Sequence, residues 1–322
     1  MTGIYEGIRT IFAPILSWPL SFLYEWTGSY VLAIFLLTLL IRLLLLPVSI
    51  KQQKNSAKQT RLNAKVNRIR QKYPNNQQKA QQEIQELYQR EGFGAANMGC
   101  MPMMIQMLVM IGLYGVMYKP ISSVLRFSSE KVESMKTIMA AVLETSDKSN
   151  KRSVDMYEIG ILKNLGDYKE ELSEVLSKSD LADLFEFSEK FTFLGLDLSV
   201  TPNAKDFNAY WLIPILSCAT AMLSSIYLYL KQRKQNPEMS KNPAMGCMTF
   251  MSPVMSLVFT FMFPTGVGVY WIISNIISFV QQMALSFLYS PKKVIAQQMV
   301  DETVVRRSKE NTTKLRVENE KK

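Results

Sequence analysis

The sequence predicts an all-α polytopic membrane protein with five transmembrane helices, an N-terminal interfacial helix and a cytosolic helical hairpin. Charged residues are absent from 92–118, 207–230 and 242–291, which are runs of 27, 24 and 50 residues. A further run, 26–50, carries Arg42 as its single charge. Uncharged apolar runs of 18 or more residues are typical of transmembrane helices. These runs alternate with strongly charged segments, which is the pattern of a multi-span protein.

The composition excludes several kinds of functional site. The chain of 322 residues contains no histidine, which rules out His-based metal sites, His general bases and Ser/His/Asp triads. The three cysteines, Cys100, Cys218 and Cys247, lie in or beside apolar runs without metal-ligand or disulfide spacing. We expect them to pack as small apolar side chains. The prediction is therefore a protein that is not an enzyme and that has no catalytic residues, cofactor or metal.

The N-terminal segment, 1–29, is predicted to be an amphipathic helix that lies in the membrane interface. Its apolar residues recur at helical spacing from Ile4 to Leu20, with tryptophans beside them. It has neither the basic start nor the cleavage site of a signal peptide. A sixth, short span is the alternative, which Pro14 and Pro19 disfavour.

The five spans follow from the uncharged runs. The last run is too long for one helix, and Pro264-Thr265-Gly266 in its middle is typical of a tight turn. We therefore place two spans there. The predicted spans are 30–50, 98–118, 208–230, 247–263 and 267–289, the last two forming one hairpin over 247–289.

The distribution of lysine and arginine predicts the orientation. Segment 51–97 has ten Lys/Arg against three acids, 231–246 has four against one, and the tail 290–322 has nine against five. Segment 119–207 instead has twelve Lys/Arg against sixteen acids. Short loops rich in Lys/Arg stay in the cytosol. The N-terminus and 119–207 are therefore expected outside, with the other three segments inside the cell.

The segments outside the spans are predicted to be mostly helical. Segment 51–97 has a thin apolar seam, which includes Leu62 and Val66, and a break at Pro74, so we predict a cytosolic helical hairpin. Its lysines and arginines suit contact with anionic lipid or RNA, or serve only to set the topology. The extracytoplasmic loop 119–207 is predicted to be a small helical domain without catalytic spacing. The basic tail is expected to be disordered or an isolated helix.

Arg42 is the candidate functional residue. On a straight helix it lies nine residues before Lys51, or about 13 Å from the cytosolic end. An arginine near the centre of a span costs about 2.5–3.5 kcal/mol on insertion scales. No Asp or Glu occurs in the five spans to pair with it. A water-filled intramembrane cavity would solvate the guanidinium. The alternatives are that the side chain reaches the membrane surface or bonds to backbone carbonyls.

Other polar side chains in the spans are candidates for the same cavity. Thr38 lies one turn before Arg42, and Gln106 is the strongly polar residue of the second span. Four residues of the last span recur on one helix face: Trp271, Asn275, Ser278 and Gln282. A polar face on a membrane helix turns toward protein or water rather than lipid. Hydrogen bonding between helices is the alternative role for each of them.

Three groups of residues, taken in this order, resemble the YidC family of membrane protein insertases. They are Thr38–Arg42 followed by Pro47 and a Lys/Gln-rich stretch; Met101–Gln106; and Phe263–Gly266 followed by Tyr270-Trp271, Ser274-Asn275 and Gln281-Gln282. The resemblance covers the five spans and the hairpin. It implies a five-span core, of the form found in Gram-positive bacteria, in the bacterial plasma membrane. A hydrophilic groove in this core opens to the cytosol and to lipid, and Arg42, Thr38 and Trp271 match groove or substrate-contact positions.

The resemblance also implies a function and partners. The chain would be a membrane protein insertase and chaperone whose partners are nascent membrane proteins and the lipid bilayer. The cytosolic hairpin would help to capture these substrates. The basic tail would contribute to contact with the ribosome, the Sec translocon is a further candidate partner, and no DNA partner is expected. One alternative is a small-solute or anion transporter that uses Arg42 as its binding site, although no inverted repeat supports it. Another is a ribosome-docking scaffold without insertion activity.

Overall fold

The computed structural model describes residues 2–92, 100–139, 157–235 and 243–320. Within these residues the chain forms helices and one short hairpin of strands. The chain divides into two compact units, each built from three stretches of sequence. The first unit comprises 1–44, 104–230 and 242–279, and the second comprises 45–103, 231–241 and 280–322.

The α-helices follow one another along the described chain. They are α1 Thr2–Thr27, α2 Tyr30–Leu44, α3 Leu46–Lys72, α4 Gln77–Arg90, α5 Cys100–Met117, α6 Pro120–Ser123, α7 Ser129–Ile138, α8 Tyr157–Lys163, α9 Lys169–Val175, α10 Lys178–Lys190, α11 Leu212–Gln235, α12 Pro243–Thr260, α13 Thr265–Leu288 and α14 Pro291–Glu320. Short 3-10 helices lie at Leu165–Tyr168 and Ala209–Trp211. The strands are β1 Thr192–Phe193 and β2 Leu196–Asp197, which pair antiparallel with Phe193 opposite Leu196.

Several helices have the length and composition of membrane spans. Among the described residues, Ala209–Lys234 and Thr265–Leu288 are each long and apolar enough to cross a membrane, and α2 with α3 passes the same test as one interrupted span. Met107–Met117 and Thr249–Thr260 are shorter apolar helices. The chain is thus an all-α polytopic membrane protein, as predicted. The count of five spans stays a prediction.

The first predicted span is interrupted at Leu45. Helix α2 ends at Leu44, and α3 begins at Leu46 with Pro47 in its first turn. Proline has no backbone N–H, so it cannot donate to the carbonyl of Leu43 as a continuous helix requires. The predicted first span, 30–50, thus consists of two helices in the structure, and its crossing of the membrane stays a prediction. Arg42 lies in the last turn of α2, where its positive charge suits the negative end of the helix dipole.

Helix α1 is apolar on two faces. Leu20 is fully buried in the core of the first unit, where α1 packs against α2 and α6. Large apolar side chains on the opposite face are exposed: Ile15, Trp18, Phe22 and Trp26. Trp18 and Phe22 stack on each other with ring centroids 6.2 Å apart. An exposed aromatic face beside a buried one is what the predicted interfacial location requires.

The segment 119–207 folds around a buried carboxylate. Glu158 of α8 is fully buried and accepts hydrogen bonds from the Ser122 backbone N–H at 2.9 Å and from the Ser122 hydroxyl at 2.6 Å. Burial raises the pKa of Glu158, although the Ser122 bonds and Lys119 oppose this. The strands β1 and β2, which were not predicted, add a tight turn in which Leu194 and Gly195 both have positive φ.

In the second unit, α3 packs against two other helices, α4 and α14, whereas the sequence predicted a contact with α4 alone. Leu62 and Val66 of α3 are buried, as is Val294 of α14. Arg61 donates to both carboxylate oxygens of Glu302, at 2.9 and 3.3 Å. The expectation of a disordered or isolated tail is wrong, because α14 packs against α3 and forms an ion pair with it.

Candidate functional site

Arg42 is held by two hydroxyl groups of α13. Its Nη2 donates to Ser278 Oγ at 2.6 Å and to Ser274 Oγ at 3.3 Å. The two serines are one helical turn apart, so both lie on the same face of α13. Leu43 and Leu44, which follow Arg42, are 58% and 71% exposed and form part of the apolar outer surface. The guanidinium is thus attached to α13 rather than directed along the outer surface.

The charge of Arg42 is solvated but not neutralised by these contacts. No carboxylate of the described residues forms an ion pair with it, and neither 207–230 nor 242–291 contains an Asp or Glu. A guanidinium carries five N–H donors and remains protonated in proteins. Two serine hydroxyls that share one nitrogen leave most of these donors for water or for a substrate. The site can therefore attract an anionic group.

Thr38 and Asn275 were predicted to line the cavity, but their polar groups form hydrogen bonds with helix backbone and side-chain atoms. Thr38 is buried, and its hydroxyl donates to the Ile34 carbonyl at 2.7 Å. The Asn275 amide donates to the Ser217 carbonyl at 3.3 Å and to Thr220 Oγ1 at 3.2 Å, both on α11. For Asn275 this geometry matches the alternative of hydrogen bonding between helices. Such bonds hold membrane helices together where lipid provides no partner.

Trp271 lies in an aromatic cluster of the first unit. Its ring is 5.8 Å from that of Phe259, 6.0 Å from that of Phe263 and 6.1 Å from that of Tyr114, measured between centroids. The Phe259 ring is stacked on it, and the other two meet it edge to face. Trp271 is partly buried, so these contacts fix the ring while part of it stays accessible.

Gln106 and Gln282, the other two predicted site residues, have no described contact with Arg42. The backbone of Gln106 belongs to α5, but its side chain lies outside the described residues. Gln282 is partly buried on α13, in the part of that helix that belongs to the second unit. The structure therefore joins Arg42 to Ser278 and directs Asn275 elsewhere. No cluster of three His, Cys, Asp or Glu side chains that could hold a metal occurs in the described part of the chain.

Ser274 was missed by the sequence reasoning. That reasoning followed one face of the last span, defined by Trp271 and Asn275. The neighbouring face also repeats polar groups at helical spacing, Tyr270, Ser274, Ser278 and Gln281. Two of these, Ser274 and Ser278, are the hydrogen-bond partners of Arg42. The i, i+4 pair of serines was the signal that could have identified them.

Close packing at Gly268 positions α13 against its neighbours. A Cβ atom at Gly268 would lie 2.6 Å from Thr260 Cγ2 of α12 and closer still to Ile213 Cγ2 of α11. Only glycine lets the three helices approach this closely. Small residues have this role at helix interfaces in membranes. The packing aligns α13, and with it the two serines that hold Arg42.

Comparison with known proteins supports the same family as the motifs around Arg42. A family model described as "60Kd inner membrane protein" matches residues 22–292. The chain belongs to this family, the YidC family of membrane protein insertases. It is 27% identical over 266 residues to a protein named membrane protein insertase YidC from Clostridium perfringens, covering 83% of this chain and 82% of that protein.

Two further relatives have similar coverage. The protein named membrane protein insertase YidC 2 from Listeria innocua is 24% identical over 284 residues, which is 85% of this chain and 72% of that protein. The membrane protein insertase MisCA from Bacillus subtilis is 24% identical over 271 residues, which is 83% of this chain and 74% of that protein. In each case the match covers most of both chains.

Proposed function

We propose that the chain is a membrane protein insertase and chaperone that acts without enzymatic chemistry. It would move short polar segments of nascent membrane proteins through a hydrophilic intramembrane groove and release their apolar spans into lipid. The names of its relatives support the general activity. The observation that carries the mechanism is the Arg42 guanidinium, which is bonded to Ser278 and Ser274 and has no carboxylate partner among the described residues.

Arg42 would act as a fixed positive charge within the groove. The two serine hydroxyls keep the guanidinium at α13 and leave its other donors for water. An acidic polar segment of a client would be drawn toward this charge, and water in the groove would lower the cost of removing the segment from bulk solvent. Thr38 and Trp271 lie on the same two helices as Arg42 and the serines, and would shape the groove from the protein side.

The client's apolar span would leave along the outer surfaces of α11 and α13. Apolar side chains on these surfaces are exposed, for example Leu223 of α11 at 55%, and Ile276 and Val280 of α13 at 47% and 56%. A client helix could slide along such a surface while still facing lipid. The free energy of insertion would come from burying the client span in the bilayer, helped by the membrane potential.

The proposed setting is the bacterial plasma membrane, with the N-terminus outside and the C-terminus in the cytosol. The hairpin of α3 and α4 would then meet clients as they leave the ribosome, and the basic tail and the Sec translocon would provide further contacts. The net positive charge of 51–97 and 231–246 supports this orientation.

The test replaces Arg42 and compares two single-span clients that differ only in the charge of the translocated tail. Arg42→Ala should reduce insertion of the client with the acidic tail by about fivefold, the effect of about 1 kcal/mol between two charges in a water-filled site. Arg42→Lys should keep much of the activity, because the charge survives. Arg42→Glu should be worse than Arg42→Ala because it repels the acids. Protease protection of the client tail measures insertion.

The neutral-tail client is the control. It should lose less activity in Arg42→Ala, because only the hydration of the groove changes for it. Arg42→Ala should fold, since removing a poorly compensated charge from the membrane relieves a desolvation cost. Arg42→Lys and Arg42→Glu keep a charge at this position, so the thermal midpoint of every variant is measured beside its activity. An equal loss for both clients, with the protein still folded, would contradict the attraction mechanism and leave Arg42 as an organiser of groove shape.

A further inference from the structure

Lysines from three separate helices contact residues at the end of α13. Lys231 of α11 donates from Nζ to Ser286 Oγ at 2.7 Å. The Nζ of Lys54 on α3 lies 5.5 Å from the ring centroid of Tyr289, and the Nζ of Lys293 on α14 lies 6.0 Å from that of Phe287. Every residue in these contacts belongs to the second unit. Three positive charges thus surround a segment of four residues, 286–289.

These charges lack compensating acids. No ion pair involving any of the three lysines occurs in the described part of the chain, and 242–291 contains no Asp or Glu. Lys231 is partly buried and yet has a neutral hydroxyl as its hydrogen-bond partner. Removing an ammonium group from water without an opposite charge is costly. The arrangement therefore favours an anion that lies between Lys231 and Lys54.

The same segment presents apolar surface. Phe287 and Leu288 are 80% and 61% exposed at the end of an apolar helix that is long enough to cross a membrane. The end of such a helix lies at the level of the lipid headgroups. A ligand that joins a negative group to a hydrocarbon chain would match both the lysines and these side chains. A soluble anion would match the lysines alone.

We propose that the end of α13 is a binding site for an anionic phospholipid. The phosphate of the headgroup is bound by Lys54, Lys231 and the Ser286 hydroxyl, and the acyl chains lie against Phe287 and Leu288. Gln53 donates to the Tyr289 carbonyl at 3.4 Å and so keeps α3 beside the site. Basic pockets between membrane helices bind acidic headgroups in this way. The lipid site shares no residue with the Arg42 site, so the lipid proposal can be tested independently of the proposed insertase activity.

The experiment uses the purified full chain in a neutral detergent. Phosphatidylglycerol, phosphatidylcholine and inorganic phosphate are added separately; the thermal midpoint is recorded, and retained lipid is counted by native mass spectrometry. Phosphatidylglycerol should bind and raise the midpoint, and the other two should not. Lys54→Gln and Lys231→Gln should each weaken phosphatidylglycerol binding by about fivefold, and together by about 25-fold, since a lysine near an acidic headgroup contributes about 1 kcal/mol.

The matched control is Lys309→Gln with Lys314→Gln, which removes the same charge from the distal part of α14. This control should bind phosphatidylglycerol as the unmodified chain does. Equal weakening in the control would show attraction to net charge alone and would overturn the site. Unchanged binding in the Lys54 and Lys231 variants would also overturn it. An equal rise in the midpoint with inorganic phosphate would identify a site for a soluble anion and reject the lipid.

Discussion

At the scale of single residues, Gly268 decides how closely three apolar helices pack. We expect Gly268→Ala to destabilise the protein by about 1–3 kcal/mol, because the added methyl group overlaps Ile213 and Thr260 and forces α11 and α12 away. The loss should appear as a lower thermal midpoint in detergent. Gly166→Ala is the control, since a Cβ at Gly166 meets no atom within 4 Å. A Gly268→Ala variant as stable as the unmodified chain would show that the helices adjust without cost.

Glu158 should make stability depend on pH. Its pKa in the folded state is raised by burial above the usual glutamate value of about 4.3. The folded state therefore holds this proton more tightly than the unfolded state does. The resulting stabilisation is complete below the unfolded-state pKa and is lost as pH rises through the folded-state pKa.

Glu158→Gln should therefore flatten the decline of stability above the usual glutamate range. The measurement is the free energy of unfolding by urea across a pH series. Glu170→Gln, at an exposed position of the same segment, should leave the pH profile unchanged. The Glu158 interpretation is wrong if the pH dependence of the Glu158→Gln variant is as steep as that of the unmodified chain.

The candidate residue Arg42 was easier to identify from the sequence than its hydrogen-bond partners were. Arg42 is easy to identify because it is the single charge in the apolar run 26–50, and a charge within a membrane span is rare and costly. Its partners were harder to predict, because periodicity identifies the faces of α13 but not which face meets α2. Asn275 and Ser278 appeared equivalent on this basis, yet one bonds to α11 and the other to Arg42. That difference depends on how the helices pack, which a one-dimensional pattern does not contain.

At the scale of elements, the helical hairpin is separable from the apolar core of the first unit. Replacing 55–88 by a short linker should impair insertion while the first unit stays folded, because that unit has its own core, which includes Leu37, Met135 and Phe187. Insertion is followed by protease protection of a client, and folding by the thermal midpoint. Replacing 140–156 by a linker of equal length serves as the control. Loss of the folded first unit would assign the hairpin a structural role instead.

The first predicted span and helix α14 differ from what the sequence predicted. The interruption at Leu45 follows from Pro47, which has no backbone N–H. The proline is visible in the sequence, but the length of the apolar run had favoured a single uninterrupted helix. The docking of α14 has a weaker signal. Its apolar residues are sparse, and the partner of Glu302 is Arg61 on α3, far away in the sequence. Contacts between distant segments of this kind leave little trace in local composition.

At the scale of the whole molecule, the orientation in the membrane can be tested by cysteine labelling. In a background lacking Cys100, Cys218 and Cys247, single cysteines at positions 42, 106 and 278 should react with a water-soluble thiol reagent from the cytosolic side. Position 278 is preferable to 275, since Asn275 bonds to α11. Inverted vesicles expose the cytosolic side, and intact cells expose the outer side.

Phe207→Cys is the control for the opposite side. Phe207 is 82% exposed and precedes α11, so a cysteine there should react only in intact cells. Reaction of the three groove positions from the outside would contradict both the orientation and a groove that opens to the cytosol. Single cysteines placed in each segment between the apolar helices would show on which side of the membrane that segment lies. The number of changes of side gives the number of spans.

The docking of α14 on α3 has a consequence for the order in which a new chain is completed. Arg61 and Glu302 are 241 residues apart in sequence, and the second unit draws on three separate stretches of the chain. During synthesis the N-terminal parts emerge and fold first, and long-range pairs must wait for their later partner. Helix α3 is therefore synthesised well before α14, the helix that docks on it. In every newly made copy, α3 therefore lacks its ion pair with α14 until Glu302 has been added.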